Sequence, residues 1–395
     1  MRTLLCLLSD QHVPNLLSVH HFQPDRLVLI ESRQMQQRKV GDHFLQALAL
    51  GGQDYGGDRH DRQPLDHEDS LLAVRKALQA AFGRHPSDEW IVNVTGGTKP
   101  MSIETYQIFT ALGGTLVYIN LSEPDRIQWM DGSKVETCGH RLSIAEFLAG
   151  YGFSSRKPPA EVAEGEARAS SWWDLARALA AEASPGELLV FESDKQRQKA
   201  RDKGLTLEPG HLHSPIVDSP AIRSRLAEAF GMAESSGGLA GKLDKYQVNF
   251  LLGQWLEVFV WGLLERNQGA LGIWDVRLGL EPASPDGKVA NDFDVAFMRR
   301  YALWVVECKT GAQEHDPQFD IQYKVEAIAR QFRALRVQTV LATTSDNVLD
   351  ENGKVKESHR NRAEAYGCKI VTRDQVRQLA ASDDPVALLK TMMGR

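Results

Sequence analysis

Cysteine is scarce in this chain and never closely spaced. Cys6, Cys138, Cys308 and Cys368 form no CxxC pair, which excludes a zinc knuckle and a disulfide framework and agrees with a reducing cytoplasm. Long apolar runs are missing as well. No stretch approaches a membrane span. The apolar start Leu4–Leu8 is ended by Ser9-Asp10 after too few residues for a signal peptide, so a first strand is expected there. Positive charge is not in excess: the net charge is −6. Any nucleic acid must therefore be met by a local patch, or through metal ions at an acidic site. Internal repeats and low-complexity tracts are also lacking.

What is present is a chain of 395 residues, 42% hydrophobic and 25% charged, the composition of a globular protein of two or three domains. Over residues 1–149, short apolar or β-branched runs (Thr3–Ser9, Arg26–Ser32, Glu89–Thr95, Thr115–Leu121) alternate with helical patterns (Asn15–Phe22, Val40–Leu50, Asp69–Phe82, Met101–Leu112). That alternation predicts an open, doubly wound α/β sheet, whose ligands sit beyond the carboxyl ends of the strands. A small hairpin, Arg126–Met130 with Val135–His140, ends this part.

The region 150–240 carries no recognisable motif. Gly150–Ser171 reads as a linker, Ser171–Ala183 and Ala221–Phe230 as helices, Leu188–Glu192 as a strand, and Ser235–Gly238 as a flexible junction. From 241 to 395 the pattern gives a long helix over Lys245–Arg266 and a hairpin of Asp292–Arg300 with Tyr301–Thr310. A helix over Asp320–Leu335, a strand at Thr339–Thr343, a helical Asn361–Ala365, a short strand at Lys369–Thr372 and terminal helices follow.

Chemistry-bearing residues concentrate in that last part. Glu307 and Lys309 are two apart, so in a strand they share a face with Leu303 and Val305. A carboxylate and an ammonium ending so apolar a strand admit two readings: an ion pair at a strand end, or a site. In the second, Asp294 and Glu307 ligate Mg²⁺ or Mn²⁺, which prefer oxygen ligands. The main-chain carbonyl of Cys308 is then a third ligand, and Lys309 positions water or offsets developing charge. Glu257, inside the apolar Gln254–Phe259 stretch, is either a solvated helix charge or a further member of that site. Asp292 competes with Asp294 as the strand acid. Asp294 is preferred because it points with Ala296 and Met298.

A second constellation is Thr95-Gly96-Gly97-Thr98-Lys99, between a strand and a helix. It offers main-chain amides, two hydroxyls and a cation to a phosphate or a base edge, or else is a tight turn that needs glycine. It matches neither GxxxxGK[ST] nor GxGxxG, so ATP hydrolysis and NAD binding lose support. Ser9, Asp10, Gln11 and Asn15 lie on the first strand–helix loop. Other features are weaker. His211-Leu212-His213 sits in a Pro/Gly-rich loop, and His20-His21 follows an apolar helix without evident chemistry. Lys195, Arg197, Lys199, Arg201 and Lys203 form either a solvated helix face or a nucleic-acid contact.

Glu257, Asp294 and Glu307-Cys308-Lys309 resemble the PD-(D/E)xK nuclease superfamily: an acid on the first core helix, an acid on a strand, then ExK on the next. Asn291-Asp292 stands where a literal Pro-Asp is expected. With Thr95–Lys99, the whole chain resembles the type III CRISPR accessory nucleases of the Card/Can type. In these a CARF (CRISPR-associated Rossmann fold) sensor precedes a restriction-endonuclease-like α/β domain. The resemblance implies a Rossmann-like sensor over 1–149 and a nuclease over 241–395. It further implies a cytoplasmic homodimer that binds cyclic tetra-adenylate through Ser9, Asp10, Gln11, Asn15 and Thr95–Lys99. DNA or RNA would be its substrate and Mn²⁺ or Mg²⁺ its metal; Gln322, Tyr323 and Lys324 in the helix after the hairpin are either substrate contacts or ordinary residues of an amphipathic helix. A ligand-independent repair or restriction nuclease and a non-enzymatic sensor are the alternatives. The second is disfavoured by the intact acid–lysine set and by the lack of a helix-turn-helix pattern.

Overall fold

The structure is a computed structural model that describes residues 1–120, 122–182, 188–208, 210–213, 216, 218–235, 238–284, 292–311 and 337–394. Its N-terminal sheet has strands β1 (Arg2–Leu7), β2 (Arg26–Ser32), β3 (His60–Leu65), β4 (Glu89–Asn93), β5 (Thr115–Ile119), β6 (Arg126–Trp129) and β7 (Val135–Thr137), in the order β3-β2-β1-β4-β5-β6-β7. β3 to β5 are parallel and the β6–β7 hairpin is antiparallel. The helices here are α1 (Val13–Phe22), α2 (Arg33–Gln37), α3 (Val40–Leu50), α4 (Leu71–Arg84), α5 (Lys99–Ala111) and α6 (Ile144–Gly150).

Leu4 to Leu7 are wholly buried because both faces of β1 are covered. Leu4 and Cys6 pack with residues of α1, α3 and α6, whereas Leu5 and Leu7 pack with α4 and α5. This is the doubly wound arrangement expected of a continuous apolar run. β3 escaped the sequence reading because its residues, His-Asp-Arg-Gln-Pro-Leu, are mostly polar. They belong to an edge strand, where proline and charge are tolerated.

The linker expected at Gly150–Ser171 is mostly helix: α7 runs from Pro159 to Ala181. Pro159 opens it at the first position, which suits proline, and its Ala, Glu and Arg residues are strong helix formers. The apolar face becomes dense only from Ala169 onward, so the solvated first turns look like linker in sequence. The strand expected at Leu188–Glu192 reduces to one bridge, Leu189 with Leu212. Beyond it come α8 (Asp194–Lys203), β8 (Leu205–Leu207), α9 (Pro220–Phe230), β9 (Ala233–Ser235) and β10 (Gly238–Leu243), with sheet order β9-β10-β8. Ser235 and Gly238 are paired across the expected junction.

The long helix predicted over Lys245–Arg266 is broken into α10 (Lys245–Asn249), a π turn (Phe250–Gln254) and α11 (Trp255–Arg266). After α12 (Gln268–Leu271) comes a sheet of β11 (Ile273–Leu280), β12 (Phe293–Arg299), β13 (Ala302–Lys309), β14 (Val337–Thr343) and β15 (Cys368–Val371), in that spatial order. β11, β12 and β13 pair antiparallel, and β13, β14 and β15 pair parallel. Helices α13 (Glu357–Ala365), α14 (Arg373–Ala381) and α15 (Val386–Met393) complete the chain. Arg300 and Tyr301 both have positive φ (48° and 55°), as a tight two-residue hairpin turn requires. Asn291 and the helix expected over Asp320–Leu335, with Gln322, Tyr323 and Lys324, lie outside the described residues.

The two faces of β13 divide the core. Ala302, Trp304, Val306 and Cys308 pack with α7, α11 and α14, while Leu303 and Val305 join the cluster that holds β1, α1 and α6. The C-terminal sheet therefore rests on the N-terminal unit. Three hydrogen bonds tie them: Tyr301 Oη to the His140 carbonyl (2.6 Å), Trp274 Nε1 to the Leu142 carbonyl (2.7 Å), and Ile144 N–H to Asp275 Oδ2 (2.5 Å).

Candidate functional site

The antiparallel ladder between β12 and β13 ends at Val295–Val306. One step further in the same register, Asp294 stands opposite Glu307. The Cys308 N–H donates to Asp294 Oδ2 at 2.7 Å, so a side-chain carboxylate takes the place of a ladder carbonyl. Asp294 lies on the face of Ala296 and Met298, and Glu307 on that of Leu303 and Val305, all four buried in one cluster. The two acids thus end a single apolar stripe. Asp292 precedes β12 and is exposed, outside the ladder that Asp294 closes.

Glu307 is 1% exposed, and Lys309, 27% exposed, donates to its Oε1 at 2.8 Å. Burial alone pushes Lys309 down. The Glu307 carboxylate, by charge and hydrogen bond, with Asp294 and Glu257 behind it, outweighs this and holds its pKa above the usual lysine value. Lys309 is therefore a cation in this arrangement. Burial, reinforced by Asp294, Glu257 and Glu307, raises the Cys308 thiol far above the ordinary range. Its sulfur faces the α7–α11 core, which leaves the peptide and not the thiol on the side of the acids.

Glu257 comes from the first turn of α11. That turn is placed by the π segment, in which Gly253 has φ 136°. A Cβ at Gly253 would fall within 3.0 Å of Thr310 Oγ1, so the helix start lies directly against the end of β13. π segments of this kind recur at functional sites. Three carboxylates and a lysine from α11, β12 and β13 thus act on one another at one sheet end. Oxygen donors beside a buried apolar stripe fit a hard divalent cation. Sequence reading found these residues but missed the π break, whose one signal was Gly253 inside an apolar helix.

The N-terminal constellation lies where the strand order reverses. From β1 the chain moves to β2 and β3, then returns to β4 on the other side of β1, which opens a crevice beyond the ends of β1 and β4. Ser9, Asp10 and Gln11 leave β1 half-exposed on one lip, and Thr95 to Lys99 leave β4 on the other. A Cβ at Gly96 would meet the Leu7 carbonyl oxygen within 3.0 Å, and Gly97 has φ 75°, so both glycines are required. Thr95 Oγ1 accepts from Ile119 N–H at 2.8 Å. Thr98 caps α5 and its hydroxyl donates to the Glu68 carbonyl. Lys99 is exposed at the start of α5, and Asp10 pairs with Arg38.

Asn15 is placed differently from the sequence grouping. It is 1% exposed, its Nδ2 donates to the Leu7 carbonyl, and its Oδ1 accepts from Asn93 Nδ2. It braces the crevice from beneath. Asn93, which also bonds Ser18 Oγ, was missed, although a polar residue within an apolar strand was its signal.

His20, read as incidental, is buried beside Glu146 and the half-buried His140, their ligand atoms within 4.8 Å of one another. In the His211–His213 loop, His211 Nδ1 accepts from Glu208 N–H and His213 N–H donates to the Leu188 carbonyl, so both residues shape the loop.

Two family models match the chain. Residues 3–147 match the Card1 CARF domain, and residues 244–379 match the Card1-like endonuclease domain. Three solved structures are similar. Protein VC1899 from Vibrio cholerae is 16% identical with TM-score 0.77, over 99% of this chain and 98% of that one. Can2 from Sulfobacillus thermosulfidooxidans, in complex with cyclic tetra-adenylate, is 20% identical with TM-score 0.66, over the whole of both chains. A type III CRISPR defence DNA nuclease activated by cyclic oligoadenylate is 19% identical with TM-score 0.50, over 86% of this chain and 45% of that one. At these identities the likeness establishes a shared fold. No curated protein matches.

Proposed function

The chain belongs to the Card1-like family of CARF–endonuclease proteins, and from that premise we propose that it is a nuclease of type III CRISPR defence switched on by cyclic tetra-adenylate. The sensor is residues 1–149 and the nuclease residues 241–395, with 150–240 between them. Asp294, Glu307 and the Cys308 carbonyl would hold Mn²⁺ or Mg²⁺, and Glu257 would complete or orient that shell. When bound, such an ion would supply Lewis acidity and lower the pKa of water for hydrolysis of a phosphodiester in DNA or RNA. Lys309 orients the attacking water and offsets the charge that develops on the phosphate. The buried stripe beneath the acids keeps bulk water from their inner side.

In the sensor, the main-chain amides around Gly96 and Gly97, the Lys99 cation and the lip at Ser9, Asp10 and Gln11 receive the cyclic ligand. Asn15 and Asn93 keep the two lips together. Homodimer formation in the cytoplasm is part of the reading, and an apolar patch supports it. Leu71 and Leu72 on α4 are 50% and 62% exposed, and Ile103 and Tyr106 on α5 are 53% and 40% exposed. Both helix starts lie at the carboxyl end of the sheet, so a second copy packed there brings two crevices together around one ligand. The bonds from Tyr301, Trp274 and Asp275 to residues 140–144 give the sensor a direct hold on β11 and on the β12–β13 hairpin. Activation requires the ligand to favour one arrangement of these parts over another.

The observation that carries the reading is the Asp294 carboxylate closing the β12–β13 ladder opposite Glu307 and Lys309. The test is cleavage of single-stranded DNA, plasmid and RNA with Mn²⁺, with and without cyclic tetra-adenylate. Cutting that depends on both is expected, and Glu307→Ala and Lys309→Ala abolish it while ligand binding persists. Equal cutting without ligand would establish a constitutive nuclease instead. Ligand binding without any cutting would leave a sensor.

A further inference from the structure

The mixed-charge helix α8 is not used by either site, and the structure gives it a place. Arg201 Nε donates to Asn249 Oδ1 at 3.0 Å, and Asn249 Nδ2 donates back to the Arg201 carbonyl at 3.2 Å. This pair docks the last turn of α8 on α10, the helix that leads through the π turn to Glu257. Between them lies a cleft of about 510 Å³ lined by Asp202, Lys203, Lys242, Lys245 and Tyr246, among others. In a chain of net charge −6, Lys203, Lys242 and Lys245 form a local basic patch. Two acids share the cleft and keep their charge, so three lysines face two carboxylates: Asp244 caps α10 by accepting from Tyr246 and Gln247 N–H, and Asp202 accepts from Gln198.

Tyr246 is 42% exposed. The Arg168 guanidinium lies 3.8 Å from its ring centroid and the Lys245 ammonium 4.8 Å. An exposed aromatic ring among cations is the pairing by which single strands are held, bases stacking on the ring while phosphates meet the charges. From Tyr246 to Glu257 is eleven residues, α10 and the first turn of α11 joined through the π turn; at helical rise that is at most about 16 Å, a span that a few nucleotides cover.

The geometry points to a subsite for single-stranded nucleic acid outside the metal centre, with Tyr246 as the stacking platform and Lys203, Lys242, Lys245 and Arg168 as the phosphate contacts. It rests on the nuclease reading and extends it: a strand held at Glu257, Asp294 and Glu307 continues along α10 into this cleft. Long single strands then bind better than short ones.

The test uses full-length Glu307→Ala protein, which binds without cutting, saturated with cyclic tetra-adenylate. Fluorescence anisotropy follows single-stranded DNA of about 16 nucleotides, the upper end of the range such platforms serve, and a labelled dinucleotide, too short to reach from the acids to Tyr246. Added Tyr246→Ala weakens the longer strand about tenfold and leaves the shorter one unchanged. Lys245→Glu lowers the slope of log affinity against log salt by about 0.7. A glutamate at the first position of α10 suits the helix dipole, so this loss does not come from unfolding. Unchanged affinity and slope for the longer strand would overturn the subsite, and so would equal losses at both lengths. Cleavage by otherwise wild-type protein separates the two levels. If it cuts no nucleic acid, the nuclease reading fails. If it cuts and Tyr246→Ala matches it on long and short strands, only the subsite fails.

Discussion

Replacing Gly253 by alanine tests whether the π turn is what delivers Glu257. Two costs can be worked out. A non-glycine residue at φ 136° stands in a region essentially reserved for glycine, at about 1–3 kcal/mol. The new Cβ also falls within 3.0 Å of Thr310 Oγ1, and turning that side chain off its rotamer costs about 1 kcal/mol. If the turn survives, the loss is roughly 2–4 kcal/mol, a fall in melting temperature of roughly 4–16 °C for a unit of this size. If instead the helix sheds the π turn, Glu257 rotates by about 100° around the axis. It then leaves the charges it acts on at Cys308 and Lys309, and cleavage falls about a hundredfold, as for other small misplacements in a site. Differential scanning calorimetry and a Mn²⁺ cleavage assay with cyclic tetra-adenylate read the two outcomes. Adding Thr310→Ala to Gly253→Ala removes the overlap and restores about 1 kcal/mol, but not the backbone cost. A Gly253→Ala protein that melts within about 2 °C of wild type and cuts at the wild-type rate would refute the reasoning.

Asp294→Asn keeps an oxygen able to accept from Cys308 N–H, so stability changes by only about 1 kcal/mol. On the proposed role a bound metal would lose a charged ligand worth several kcal/mol, so cleavage drops about a thousandfold, and a rate within tenfold of wild type would remove Asp294 from the site. Gly96→Ala places a Cβ against the Leu7 carbonyl, a backbone overlap costing about 2 kcal/mol. Isothermal titration then finds no binding of cyclic tetra-adenylate, and native affinity would show that the crevice does not need the close approach. Glu146 is buried, which alone raises its pKa, but hydrogen bonds from His140 and Ser143, with the His20 ring close by, hold it well below the usual range. Its stabilising effect is therefore present above about pH 4.3, the unfolded value, and fades as pH falls toward the folded one. Glu146→Gln is less stable than wild type at pH 7, with a gap that narrows below about pH 4. A gap that widens in acid would contradict this assignment.

Much of the molecule is local and could be read in one dimension. The buried runs of β1, β2 and β4 are continuous because both faces of a parallel sheet are covered. The alternation in β13 is visible because Glu307 and Lys309 interrupt one face only. The order of helix acid, strand acid and ExK is a property of the chain, and so is the glycine pair of Thr95–Lys99. The sequence misled where composition and structure part company. The polar edge strand β3 and the solvated first turns of α7 are stabilised by neighbours far away in sequence, so their own residues resemble loop.

Residue types and spacing were enough to single out Glu257, Asp294, Glu307 and Lys309 as candidates and to place them on a helix and two strands. Only the tertiary structure decided that Asp294, and not Asp292, ends the ladder and takes the Cys308 amide. It alone turned Asn15 inward, brought Thr310 against Gly253, and set α8 beside α10. Those outcomes depend on register, on close backbone approach and on which surfaces share a core. None of these is a property of any single segment, because each is fixed by contacts between residues far apart in the chain.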